Sequence, residues 1–239
     1  MSVTIALYTK KRGHETRLPV KTRVFVRAAA ACGIAGPVLL ASVLAVLSFL
    51  ERDFMRTLGW NPLTAPTHDW PSGLALGPLG AVMTVTFVIS GVMLMAFAWG
   101  LRETFPAPSA GRAASALLVA AGLAMTLLAF STDPTDSAAP ATLHGRIHDT
   151  AFVALGVSML ASLAVFAAVF LRRKWRVNAV LSLVTCALIF PSFTVKGTVF
   201  YFFLAAALAW WEAAALRMRH DAPAMDAAAR EEYGAEKKR

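Results

Sequence analysis

The sequence predicts an all-α fold: a polytopic membrane bundle of six transmembrane helices with both termini cytoplasmic. Three observations predict it. Of 239 residues, 57% are hydrophobic and only 15% are charged, whereas about a quarter of the residues of a soluble domain are charged. Six apolar runs reach or approach the roughly 20 residues that a helix needs to cross about 30 Å of hydrocarbon. Threading those runs through a bilayer puts 19 of the 23 Lys and Arg residues on one side. The mean hydropathy, +0.60, agrees.

The first run, 28–50, follows the basic stretch "KKRGHETRLPVKTRVFVR". It is too long for the apolar core of a signal peptide and lacks a small-x-small cleavage site, so it reads as an uncleaved first helix. The second and third runs are 80–101 and 113–130, and the fourth is 150–171. The fifth and sixth, 177–193 and 198–216, are separated by "PSFTVKG", where Pro191, Lys196 and Gly197 supply a turn signal and a charge. The chain thus divides into a basic cytoplasmic segment (1–27), a six-helix membrane domain (28–216) and a charged, alanine-rich cytoplasmic tail (217–239).

Orientation follows from the excess of Lys and Arg on cytoplasmic segments. Only Arg52, Arg56, Arg146 and Lys196 fall outside. Glu51, Asp53, Asp69, Asp133, Asp136 and Asp149 share that side, which makes it net acidic, and so do His68, His144 and His148. Trp60 and Trp70 are expected at the outer interface. Trp99, Trp175, Trp210 and Trp211 are expected at the inner one, a depth that suits an apolar ring with one N–H donor.

The composition also excludes functions. A formal charge of +9 would suit a nucleic-acid binder, but the cations flank apolar runs and build no patch with interleaved aromatics. Cys32 and Cys186 both lie in apolar runs and read as small buried side chains. Glu212 is the sole carboxylate within a span, one turn from its inner end, where Arg217 or Arg102 is expected to neutralise it. No charge lies at a midplane, which argues against an ion-coupled transporter.

The chemistry gathers in "PATLHGRIHDTAF", 140–152. His144 and His148 are spaced i, i+4 and so share a helix face. Thr142 is placed to cap that helix, and Asp149 lies near the positive end of its dipole. Two histidines on one face can hold a zinc or another divalent ion, but a catalytic zinc usually takes three protein ligands. Asp133, Asp136, His68 and Asp69 on the same side are the candidates for the third. Ser72 can serve as a polarised hydroxyl or as a nucleophile activated by histidine. The structural alternative is a closed outer surface in which Asp133 pairs with Arg146 or Lys196. A bis-histidine haem is disfavoured, because two ligands on one helix face cannot reach opposite sides of one iron.

The stretch "NPLTAPTHDWPSGLALGPLGAVMTVTFVISGVMLMAFAWGLR", 61–102, and the later "FSTDPTDSAAPATLHGRIHD", 130–149, resemble the two motifs of the domain-of-unknown-function 998 (DUF998) family. Its members are multi-pass membrane proteins of bacteria and archaea. The resemblance covers about residues 25–218 and implies a fold and a topology but no reaction. Carried over position by position, it points to His68, Ser72, Asp133, His144 and His148. The chain departs from the family's His-Pro-Val-Ser pattern at "HDWPSGL", where Asp69 and Trp70 precede the proline.

Together these readings describe an integral protein of the bacterial plasma membrane with a polar, outward-facing pocket. One expectation is a metal-dependent hydrolase of a lipid or lipid-linked substrate, with Ser72 and Asp133 catalytic and His144, His148, Asp133 and His68 on the metal. The alternative is a non-enzymatic protein that binds lipids or small molecules, aids transport or acts as a scaffold. Membrane lipids are the expected partners, and nucleic acid is not.

Overall fold

The computed structural model describes residues 20–105, 108–194 and 197–236. Most of the basic N-terminal segment and Lys196 lie outside them. The elements in order are α1 (Val20–Leu50), α2 (Arg52–Thr57), a short 3₁₀ turn (Ser72–Leu76), α3 (Gly80–Glu103), α4 (Ala110–Leu127), α5 (Leu143–Arg172), α6 (Arg176–Thr194) and α7 (Thr198–Glu236). No strand forms among the described residues.

Five of these helices are long and apolar enough to cross a membrane: α1, α3, α4, α5 and the Thr198–Asp221 part of α7. The sixth apolar helix, Arg176–Ser192, is shorter. Pro191 does not break the chain there. It sits inside the last turn of α6, where it removes one backbone hydrogen bond without stopping the helix, and the break falls at Gly197 in the left-handed region (φ 64°). At the other end of the sequence pattern, α7 continues through 217 to Glu236 without interruption.

The six long helices form a closed ring. α3 packs on α1 and α4, α5 on α4 and α6, and α7 on α6 and α1. Close approach depends on small residues. A Cβ at Gly91 would lie 2.6 Å from the carbonyl oxygen of Gly122, so α3 and α4 meet backbone to backbone. The ring's interior is filled by Phe97, Phe166, Phe170, Leu163 and Trp210, all fully buried. Its outside is also apolar, with Val85, Ile89 and Val92 of α3, Val153 and Val157 of α5 and Val177, Val180 and Leu183 of α6 exposed. Helices that are apolar on both faces belong in a bilayer, so the chain is a multi-pass membrane protein.

Most of the tryptophans are packed within the protein. Trp99 is exposed, but Trp60, Trp175, Trp210 and Trp211 are buried in the protein. Their N–H groups find protein partners where they can: Trp60 Nε1 donates to the Pro66 carbonyl at 3.2 Å, Trp70 Nε1 to Ser48 Oγ at 2.9 Å and Trp210 Nε1 to Ser182 Oγ at 2.8 Å.

One end of the ring carries the segments 51–79 and 128–142. A second apolar cluster beneath them, including Leu44, Leu47, Met55, Trp60, Leu74 and Met83, seats the first segment on α1 and α3. Glu51 fixes its start and finish. This buried carboxylate accepts from the backbone N–H of Leu79 at the head of α3, and Gly77 is small enough to leave it room. At the opposite end, Arg173 lies 4.1 Å from the Phe105 ring centroid and 5.7 Å from that of Trp175, and donates to the Thr104 carbonyl at 3.0 Å. Burial pushes its guanidinium below the ordinary arginine value, and the charge of Asp221 opposes that shift. Glu212 is not neutralised as expected. Arg217 pairs with Asp221 and Arg102 with Glu103, and Glu212 Oε2 is buried without a hydrogen bond.

Candidate functional site

Ser72 opens the 3₁₀ turn of the 51–79 segment, and His148 lies in the second turn of α5. His148 is 3% exposed. Its Nε2 is 2.9 Å from Ser72 Oγ. Its Nδ1 is 2.8 Å from the carbonyl of Phe130 and 3.1 Å from that of Leu128. Carbonyls only accept, so Nδ1 carries the proton. In the neutral ring Nε2 is then the acceptor, and the Ser72 hydroxyl donates to it. This is a serine bonded to a base whose far side is held in one tautomer, the general signature of an activated nucleophile.

The group that orients His148 is the carboxyl end of α4. Leu128 is the C-cap of that helix, and Phe130 lies just beyond it. Carbonyls there have no helical N–H to satisfy, and the helix dipole places partial negative charge among them. These acceptors hold Nδ1–H and fix the orientation of the ring, the positioning part that a buried carboxylate plays in a Ser-His-Asp triad.

The segments are locked by further bonds. Asp69 adopts a left-handed backbone conformation (φ 52°), which aspartate tolerates better than most residues. Its carboxylate accepts from the Thr135 hydroxyl at 2.5 Å and from the Thr135 N–H at 3.0 Å, joining the two segments. The hydroxyl of Tyr201 on α7 donates to the Pro66 carbonyl, and Gly197 N–H donates to Thr67 Oγ1, both at 3.2 Å. Trp70 packs edge-on against Tyr201 with ring centroids 4.9 Å apart. A cavity of about 230 Å³ lies beside Ser72 and His148, with Asp69, Trp70, Asp149, Phe152, Ser192 and Phe200 also in its wall.

The candidates from the sequence are therefore brought together only in part. Ser72 and His148 meet. Asp133 does not join them: its Oδ2 accepts from Thr142 N–H and its Oδ1 from Thr142 Oγ1, each at 2.8 Å. Thr142 in turn caps α5, its hydroxyl accepting from Gly145 N–H at 3.0 Å. This contact with Thr142 replaces the pairing of Asp133 with Arg146. His144, one turn above His148, is exposed and lies against the Phe130 ring at 5.8 Å. His68 faces Asp136, with Nε2 to Oδ2 at 3.3 Å. Among the described residues, no group of three or more His, Cys, Asp or Glu side chains is placed to hold a metal ion. Both ring nitrogens of His148 and both oxygens of Asp133 are already engaged, so the four proposed ligands do not fit one shared ion.

Sequence reasoning missed the carbonyls of Leu128 and Phe130, because a backbone acceptor carries no residue signature. It also missed the Asp69–Thr135 bridge, although Asp69 stands where the chain departs from the family motif.

Fold and site together define an all-helical, multi-pass membrane protein in which a half-buried serine of the 51–79 segment meets a buried histidine of α5 at one end of the ring. The chain belongs to the DUF998 family, described as proteins of unknown function, whose model matches residues 34–218. Neither the curated proteins nor the solved structures contain a match to it.

Proposed function

We propose that this protein is an acyl-transfer enzyme, a hydrolase of an ester-bearing amphiphile, in which Ser72 is the nucleophile and His148 the general base. The observation that carries the reading is the 2.9 Å contact between Ser72 Oγ and His148 Nε2 at a cavity wall, with Nδ1 held by two carbonyls. In the first step, Ser72 Oγ attacks the acyl carbon as its proton passes to His148 Nε2. The C–O bond to the alcohol then breaks, and the alcohol leaves with that proton. Water, deprotonated by the same nitrogen, releases the acid and restores the serine.

The setting supports a membrane substrate. In this reading all six apolar helices cross the membrane and both termini lie in the cytoplasm, as the distribution of Lys and Arg favours. The site then faces outward from the plasma membrane of a bacterium, at the depth of the outer leaflet headgroups. The 2.9 Å serine–histidine contact favours the catalytic reading over a purely accessory or scaffold role, because the hydroxyl and its base both line a cavity that a substrate could enter.

The test is covalent labelling. Purified protein treated with a small uncharged fluorophosphonate should be modified at Ser72, as read by peptide mass spectrometry. His148→Gln should slow labelling by about 10²-fold or more, the usual scale of a general base. Labelling absent from Ser72 in folded protein would overturn the reading.

A further inference from the structure

We infer that the cavity beside Ser72 selects a substrate carrying a small organic cation, and that Asp149 is the residue that recognises it. The inference rests on the acyl-transfer reading for the identity of the reacting group, but the cation site stands on its own geometry.

Asp149 directly follows His148 on α5 and lines the same cavity, with its side chain exposed. No hydrogen bond or ion pair to another described residue involves its carboxylate, in contrast to the other acids at this end of the ring. Asp133 is held by Thr142, Asp69 by Thr135 and Asp53 by Arg56 at 3.2 Å. Arg146, the cation nearest in sequence, does not line the cavity. Among the described residues, the charged side chains in the wall are Asp69 and Asp149, both acidic. A carboxylate in a cavity wall with no partner among the described residues is an acceptor with unused capacity, and two acids in one wall repel an anionic group.

The remaining wall suits the same ligand. Trp70 and Phe200 present aromatic surface to the cavity, their rings 6.0 Å apart and nearly perpendicular. Aromatic faces attract ammonium groups, most strongly when the cation sheds its water, and such walls commonly bind quaternary ammonium. The size of the cavity sets a limit too. At about 230 Å³ it is below the roughly 300–1,000 Å³ of sites that enclose drug-sized ligands. It has room for a compact head and the adjoining ester, while a long chain would remain outside among the lipids. The substrate class is therefore an ester whose head bears a primary or quaternary ammonium, with an anionic head disfavoured.

Full-length protein in a maltoside detergent is titrated with tetramethylammonium chloride and, separately, with sodium acetate at constant ionic strength. Binding is read by saturation-transfer NMR on the small ion. The wild type should bind tetramethylammonium saturably and show no saturable binding of acetate. Asp149→Asn should weaken the cation by about tenfold, Asp149→Glu should restore most of the affinity, and Asp53→Asn should leave it unchanged. No saturable cation binding, equal binding of acetate, or an unchanged affinity in Asp149→Asn would each overturn the inference. Labelling of wild-type Ser72 is scored separately: its absence removes the acyl-transfer reading and leaves the cation result intact.

Discussion

Asp133 grips Thr142 with both carboxylate oxygens, one on the backbone N–H and one on the hydroxyl, each at 2.8 Å. Thr142 passes the restraint on to Gly145 N–H in the first turn of α5. Asp133 thus acts at one remove from His148, by fixing the start of the helix that carries it. Asp133→Asn keeps one acceptor and loses the other, and should cost about 1 kcal/mol of stability. The measurement is the thermal midpoint in detergent, together with Ser72 labelling. A drop in stability with labelling slowed less than tenfold fits a positioning role. A loss of labelling as deep as that of His148→Gln would instead place Asp133 in the chemistry.

Asp69 performs a comparable task between the two segments, and its effect is local. Its bonds to Thr135 tie the 51–79 segment to the segment that precedes α5, beside the His68–Asp136 contact. Removing the carboxylate in Asp69→Ala should free the Thr135 amide and its neighbours while leaving the helical ring intact. Hydrogen exchange should speed up across 132–139 and stay unchanged in α3 and α4, because local opening need not involve the ring. Uniform exchange rates in mutant and wild type would show that these bonds do not hold the segment.

Much of this architecture is visible in the residues, and the part that is not has identifiable causes. Long apolar runs announce themselves, because a helix in hydrocarbon must satisfy its backbone internally and be apolar along its length. Thr142 as the cap of α5 was legible for the same local reason. The i, i+4 spacing of His144 and His148 suggested a shared ligand, yet four residues also advance about 6 Å along the helix axis. That advance leaves His144 exposed beside Phe130 and buries His148. Ser72 lies 76 positions before its partner, and nothing local encodes that meeting. The burial of the tryptophans is not legible in the sequence, because one ring suits both a headgroup layer and a packed interior, and only the tertiary arrangement decides between them.

Arg173 tests the opposite end of the ring. Its guanidinium stacks over Phe105 at 4.1 Å and reaches the Thr104 carbonyl, which ties the start of the α5–α6 connection to the end of α3. Lysine keeps the charge but has no planar face to stack and no second donor in a fixed fork. Arg173→Lys should lower stability by about 0.5–1 kcal/mol, the scale of a partly exposed cation–π contact. Ser72 labelling should be unaffected, since the two sites lie at opposite ends of the ring. A thermal midpoint equal to that of the wild type would show that charge alone suffices there.

Gly91 decides how closely α3 and α4 approach, and two opposing effects can be weighed. Alanine is the better helix former by about 1 kcal/mol, so Gly91→Ala would stabilise α3 if the site were open. It is not open: the added Cβ would lie 2.6 Å from the Gly122 carbonyl oxygen and 2.7 Å from the Thr126 backbone nitrogen. Backbone atoms cannot rotate aside as a side-chain tip can, so the helices must separate, and overpacking of this kind costs about 1–3 kcal/mol. The steric loss outweighs the gain in propensity, and the variant should be less stable than the wild type. Because the carboxyl end of α4 supplies the carbonyls that hold His148, a shift of α4 should also slow Ser72 labelling. Thermal unfolding and labelling rate, measured on the same preparation, check both effects. A variant more stable than the wild type would mean that α3 and α4 do not meet as closely as their glycines allow.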